Sequence, residues 1–238
     1  MARMTLDDLV AQLTKAFGSG LRSVVLYGSA AAGEHIPNRS DYNVLVIADG
    51  LDLETLRRGA AVSRAWAEVG NAAPLILTTH EWHSSADVFA MEYADILERH
   101  RVLYGAAPFD GIAVDKHDLR MELEHQAKGK VLQLRRAILA SHGEAKRHIE
   151  LLSSSLSTFM VIFRALLRLY DEIPPADNEA LITQVAARTG IGLEAFVRVV
   201  HHVRGATTLS ERDVNEVLSG YLAGAEQIAS FVDRMDAE

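Results

Sequence analysis

The dipeptide Gly28-Ser29 is the first place in this chain where the residue types suit chemistry. It directly follows Ser23–Tyr27, an apolar run typical of a buried strand. Glycine lets the backbone approach a ligand closely, and a serine at a helix start offers a hydroxyl and N–H donors to a phosphate. The pair therefore predicts a phosphate-binding turn. The alternative is a simple tight turn with no ligand.

A second polar segment, Ser40 to Asn43, leads into the apolar run Val44–Ile47. Asp41 and Asn43 are two residues apart, so in a strand their side chains point to the same side. Carboxylate and amide oxygens are ligands that Mg²⁺ accepts. The pattern predicts a turn that returns the chain into a second strand beginning with these two residues. A carboxylate that only hydrogen-bonds a turn is the alternative for Asp41, and a satisfied polar residue at a strand start is the alternative for Asn43.

Strand and helix patterns alternate up to about residue 105, which favours an α/β (α+β) arrangement with helices layered on a sheet. The character changes near Gly105–Asp110, and we place a domain boundary there, with domains at 1–107 and 108–238. We expect strands at 23–27, 44–47 and 74–78, and helices at about 5–17, 53–69 and 88–101, the last with Phe89, Ile96 and Leu97 in the core.

Beyond the boundary, apolar residues recur at spacings of three and four almost throughout. Long amphipathic helices with short connections favour an all-α antiparallel bundle. Such helices permit a homodimer without requiring one.

Composition restricts the classes of function that need to be considered. The chain has 238 residues, a net charge of −8 and no cysteine. A protein that binds nucleic acids mainly through their phosphates is usually basic, so general nucleic-acid binding is disfavoured. The absence of cysteine excludes disulfide frameworks and cysteine-based zinc sites, and it suits a reducing compartment.

The chain also lacks the sequence signs of export or membrane insertion. Acidic residues stand near its start, where a signal peptide needs an apolar core. The most apolar later stretch, 157–170, is interrupted by Arg164 and Arg168 and is too short to span a bilayer. We therefore expect a cytoplasmic protein with no membrane partner.

Gly28-Ser29, the eleven residues that follow and Ser40-Asp41-Tyr42-Asn43 resemble a motif of the DNA polymerase β-like nucleotidyltransferase superfamily. The resemblance is to its minimal and antibiotic-modifying branches, in which Gly-Ser is followed about a dozen residues later by Ser-Asp-x-Asp on the next strand. The match is close over residues 22–48 and looser up to Gly105. It implies a nucleotidyltransferase-like sheet domain followed by a helical domain. It also implies a nucleoside triphosphate as substrate or ligand, contacted by Gly28, Ser29 and Ser40.

The resemblance further implies a Mg²⁺ site in which three carboxylates hold two ions around an in-line displacement at phosphorus. Asp41 matches the first acid, and Asn43 stands at the second position with an amide oxygen but no charge. The third acid matches Ile76, which cannot bind a metal. The motif is therefore degenerate, and one carboxylate in place of three weakens binding of two divalent ions.

Glu92, in the predicted helix 88–101, matches a glutamate that acts as general base on the acceptor hydroxyl in the antibiotic-modifying branch. A solvated or helix-capping role is the alternative for this residue.

Three functions remain open at this point. The first is a degenerate nucleotidyltransferase that binds a nucleotide or a partner without efficient catalysis. The second is an active enzyme that moves a nucleoside monophosphate from an NTP to a hydroxyl of a small molecule or protein, using Asp41 and a recruited acid such as Glu92 or Asp87. The third is a non-catalytic interaction scaffold.

Overall fold

The computed structural model describes residues 4–31, 33 and 42–235, and Ser40 and Asp41 lie outside them. By its internal contacts the chain divides into two compact units, Met1–Val114 and Asp115–Glu238. The first unit contains α1 (Leu6–Phe17), β1 (Leu21–Tyr27), β2 (Asn43–Ala48), α2 (Leu53–Glu68), β3 (Leu75–Thr78), α3 (Thr79–Ser84), α4 (Ala90–Glu98) and β4 (His100–Gly105).

The four strands form one mixed sheet in the order β3-β2-β1-β4. β1 runs antiparallel to both β2 and β4, and β2 runs parallel to β3. The two central strands are the continuous apolar runs of the sequence, as expected for strands covered on both faces. The predicted small mixed sheet with helices, followed by a helical region, is confirmed.

Each face of the sheet packs against its own helices. On one face Val44 and Val46 contact a core that includes Leu9 of α1 and Trp66 of α2. On the other face Tyr27, Val25, Leu45 and Ile47 pack with side chains from α3 and α4, among them Trp82, Tyr93 and Ile96. The second face matters for function, because it is the side on which α4 meets the end of β1.

The predicted helix over 88–101 is wrong at its C-terminal end. The helix ends at Glu98, and His100–Gly105 forms the edge strand β4. Its residues are only partly buried, and pairing with β1 through Tyr27↔His100 supplies a stabilisation that a local pattern does not reveal. Phe89, expected in the core, is 46% exposed at the start of α4.

The second unit is all α-helical, and its helices are α5 (Lys116–Ala140), α6 (Ala145–Leu169), α7 (Asn178–Thr189), α8 (Glu194–Arg204) and α9 (Val214–Asp233). An aromatic cluster joins three of them: the Phe159 ring of α6 lies 5.1 Å from Phe196 and 5.4 Å from Tyr221. The apolar stripes of the sequence are therefore core contacts between helices.

Among the described residues, α6 is the helix that length and composition would allow to cross a membrane. Its 25 residues have a most apolar window with mean hydropathy 1.4, and 56% of that window is buried inside the structure. Because Phe159, Phe163 and Leu166 of this helix are fully buried in the second unit, α6 is its central core helix.

Candidate functional site

The Gly28-Ser29 dipeptide forms a short turn of 3₁₀ geometry directly after β1. Gly28 has a φ of +73°, a conformation that favours glycine. Its N–H donates to the carbonyl of Arg99 over 3.0 Å, so this N–H is already used within the protein. Ser29 is half-buried, and its hydroxyl makes no hydrogen bond to another described residue. The N–H of Ala31 donates to the carbonyl of Gly28, so the donors that this turn presents to a ligand are those of Ser29.

Two polar side chains approach Gly28 from different elements. A Cβ added at Gly28 would lie 3.1 Å from Nδ2 of Asn43 and 3.7 Å from Oδ2 of Asp95. The first of these contacts is tighter than an ordinary van der Waals contact, so a side chain at Gly28 would push the Asn43 amide aside by a few tenths of an ångström. The glycine thus marks the point where β1, β2 and α4 meet.

Asn43 is the first residue of β2 and pairs directly with Tyr27, the last residue of β1. Paired residues and alternate residues of a strand share a face, so Asn43 lies on the sheet face of Tyr27 and Leu45. The structure thus brings Asn43 and Gly28 together. The predicted contributions of Ser40 and Asp41 fall outside the described residues and stay predictions.

Helix α4 brings Glu92 to the same place. The Tyr27 hydroxyl donates a hydrogen bond of 2.6 Å to Oε1 of Glu92, which lies in the first turn of the helix. Burial, followed by the negative charges of Glu92 and Asp95, raises the pKa of Tyr27 far above its ordinary value, so the phenol remains a donor. The carboxylate of Glu92 is thereby fixed through one oxygen beside the end of β1.

Asp95 is a residue of this site that the sequence reasoning missed. Its carboxylate forms an ion pair with Arg99, and both side chains are 10% exposed. The available signal was its spacing of three from Glu92, which places both acids on one face of α4. Asp87, considered as a recruited acid, is exposed, and its carboxylate accepts the N–H of Val88.

The assignment of Ile76 to the third acid position is wrong. Ile76 pairs with Val46 and packs on the sheet face opposite to that of Asn43. On the face of Asn43 the strand presents Leu75 and Leu77. β3 therefore contributes no acid to the site, because the residues that it presents on this face are leucines.

The described residues, which do not include Asp41, form no carboxylate cluster of the kind that holds a pair of Mg²⁺ ions. Nowhere in 4–31, 33 and 42–235 do three or more histidine, aspartate or glutamate side chains group as metal ligands do. Asn43 brings no charge, β3 presents leucines, and the carboxylate of Asp95 is paired with Arg99. Two hard divalent cations need several carboxylate oxygens at close range.

Comparison with known proteins identifies the fold and leaves the activity open. No family model matches the chain, and no curated protein matches it. Among solved structures, it is similar to spectinomycin adenyltransferase AAD(9) from Enterococcus faecialis, whose crystal structure contains ATP and spectinomycin. The TM-score is 0.62 at 12% identity, over 93% of this chain and 97% of that chain. The likeness shows that this chain has the same fold as that adenyltransferase.

Proposed function

We propose that this protein binds a nucleotide at the Gly28-Ser29 turn and does not transfer nucleotidyl groups efficiently. The observation that carries the proposal is the approach of Asn43 to Gly28, where a Cβ would lie 3.1 Å from the amide nitrogen. This approach puts the polar side chain of Asn43 beside the turn whose Ser29 hydroxyl and N–H can donate to a phosphate. The ATP in the AAD(9) structure supports a nucleotide as the ligand class.

The phosphate contacts follow from the local geometry of the turn. The Gly28 N–H is bonded to Arg99, so we expect the Ser29 hydroxyl and N–H to make the first contacts with phosphate oxygens. Asp41 of the motif stands two residues before Asn43 in the sequence, and we expect it to contribute to the same ligand site.

The low transfer efficiency is supported by the charges around the turn. Asn43 supplies an uncharged amide where the family motif has an acid, and Asp95 is neutralised by Arg99. The transition state of nucleotidyl transfer develops charge that positioned cations must stabilise. A site with few free carboxylates holds such cations poorly. On this view the protein acts by binding, as a pseudoenzyme.

An active transferase is the second candidate, and the Tyr27–Glu92 hydrogen bond favours it. One oxygen of Glu92 is held at 2.6 Å by the phenol, which leaves the other to face a substrate. In that reaction Glu92 would take the proton of an acceptor hydroxyl while the acceptor oxygen bonds to the α-phosphorus and pyrophosphate leaves. The acceptor would be a small molecule, as spectinomycin is in the AAD(9) structure, or a protein hydroxyl.

The test is calorimetric titration of the full chain with ATP, GTP, CTP and UTP, each with Mg²⁺ and with chelator. Asp41→Ala is the site variant, and Asp110→Ala, at an exposed residue of the loop after β4, is its matched control. We expect at least one nucleotide to bind wild type and the control, and to bind Asp41→Ala about tenfold more weakly, a loss of about 1.4 kcal/mol.

The outcomes separate the rival functions. No binding of any nucleotide would contradict the proposal and favour an interaction scaffold. Transfer of label from an α-labelled NTP to an acceptor would favour the active enzyme, and its loss in Glu92→Gln would assign the base.

A further inference from the structure

A positive charge is already present beside the Gly28 turn. Arg99 lies at the end of α4, and its guanidinium pairs with Asp95 one helical turn earlier. A guanidinium stays protonated at every pH at which proteins are folded. The charge is therefore permanent, and with both side chains 10% exposed it is poorly screened by water.

Arg99 is also fixed in place by its backbone. Its carbonyl accepts the N–H of Gly28 over 3.0 Å, and its own N–H donates to the carbonyl of Asp95 over 2.9 Å. Within the described residues, Nε and Nη1 of the guanidinium are buried without a hydrogen-bond acceptor. Asp95 is accordingly the main counter-charge of Arg99, and the two residues are held together at the C-terminal end of α4.

Asp95 and Asn43, where the second metal ligand of the motif is missing, both approach Gly28. Oδ2 of Asp95 would lie 3.7 Å from a Cβ at Gly28, and Nδ2 of Asn43 would lie 3.1 Å from the same point. A divalent cation bound between Asn43 and Asp95 would be separated from the guanidinium of Arg99 only by the carboxylate of Asp95. Like charges that close repel strongly in a poorly solvated site.

We infer that Arg99 is the built-in cation of this site: it neutralises Asp95 as a metal ligand, so the protein holds no divalent cation of its own at the Gly28 turn. The inference takes the location of the site from the proposed function. It applies to the protein without nucleotide, and it makes no statement about a metal ion that an NTP brings with it.

Mn²⁺ binding to the full chain without nucleotide, measured by electron paramagnetic resonance, tests the inference. The variants are Asn43→Asp, which restores the missing carboxylate, and the same change combined with Arg99→Met or with Arg99→Lys. Arg99→Lys keeps the positive charge and is the matched control. We expect Asn43→Asp/Arg99→Met to bind Mn²⁺ at least about tenfold more tightly than Asn43→Asp/Arg99→Lys. Equal affinities, or tight Mn²⁺ binding by wild type, would overturn the inference.

A second variant keeps the test decisive if Arg99→Met does not fold, as judged by circular dichroism. Arg99→Gln in the Asn43→Asp background also removes the positive charge, and its amide can still donate a hydrogen bond to Asp95. We expect this variant to bind Mn²⁺ at least about tenfold more tightly than Asn43→Asp/Arg99→Lys, and equal affinities would overturn the inference. The Mn²⁺ measurements contain no nucleotide. A failure of nucleotide binding would therefore overturn the proposed function without changing the Mn²⁺ affinities.

Discussion

The hydroxyl of Tyr27 donates a 2.6 Å hydrogen bond to Oε1 of Glu92, which joins the last residue of β1 to the first turn of α4. The next residue after Tyr27 is Gly28, so this bond fixes the helix against the strand at the point where the turn begins. Glu92 is therefore held by the fold itself, and its position does not depend on a ligand.

We predict that Tyr27→Phe lowers the free energy of unfolding by about 1.5 kcal/mol, since it removes a hydrogen bond to a charged group that is partly solvated. Urea denaturation measures the change. Tyr104→Phe in β4 is the control, because its hydroxyl makes no hydrogen bond to another described residue, and we expect little effect there. Equal destabilisation by the two variants would mean that the Tyr27–Glu92 bond contributes nothing to stability.

Alkaline pH should destabilise the protein partly through Tyr27. Burial and the charge of Glu92 raise the pKa of Tyr27 in the folded state above its ordinary value of 10.0, whereas the unfolded chain ionises at that value. The stabilisation is therefore fully present below about pH 10 and is lost as the pH rises further. Urea midpoints of wild type at about pH 8 and about pH 11 measure the loss.

Tyr27→Phe separates this effect from that of the other buried tyrosines. Burial also raises the pKa of Tyr221, and that of Tyr93 to about 12, so part of the alkaline loss will remain in the variant. We expect the free energy of unfolding of Tyr27→Phe to fall less steeply with rising pH than that of wild type. Parallel curves for variant and wild type would show that Tyr27 is not protected from ionisation.

The Asp95–Arg99 pair should affect stability far more than an exposed pair does. Asp95→Asn leaves a buried guanidinium without its counter-charge, and we predict a loss of about 3–5 kcal/mol. Asp49→Asn is the comparison, because Asp49 pairs with Arg22 on the surface, with side chains 48% and 57% exposed, and we expect a much smaller change. Thermal or urea unfolding of both variants measures the two losses of stability. Similar losses would mean that Asp95 is effectively solvated.

The fold was largely predictable because its signals are local. β1 and β2 are continuous apolar runs, and α1 begins at Thr5 with the capping box that its sequence predicts. β4 was missed because an edge strand of partly exposed residues is stabilised by pairing with β1, a contact between distant parts of the chain.

The site was only partly predictable because its remaining contacts are non-local. Helical spacing puts Glu92 and Asp95 on one face of α4, but it does not say which strand that face meets. The Asp95–Arg99 pair is itself local, but its place beside Gly28 depends on the hydrogen bond from the Gly28 N–H to the Arg99 carbonyl, which joins distant parts of the chain. The error at Ile76 has a similar origin, because a shift of one residue in strand register moves a side chain to the other face of the sheet.

The central claim, that a nucleotide binds at the Gly28 turn, is tested most directly by comparing Gly28→Ala with Gly111→Ala. Both glycines have left-handed φ values, +73° and +75°, so both variants suffer similar backbone strain. A Cβ meets Asn43 at Gly28, whereas nothing lies within 4 Å at Gly111. We predict that Gly28→Ala weakens the tightest nucleotide by about tenfold or more in calorimetry, while Gly111→Ala stays within about twofold of wild type. Equal affinities in the two variants would contradict the claim and move the ligand site away from this turn.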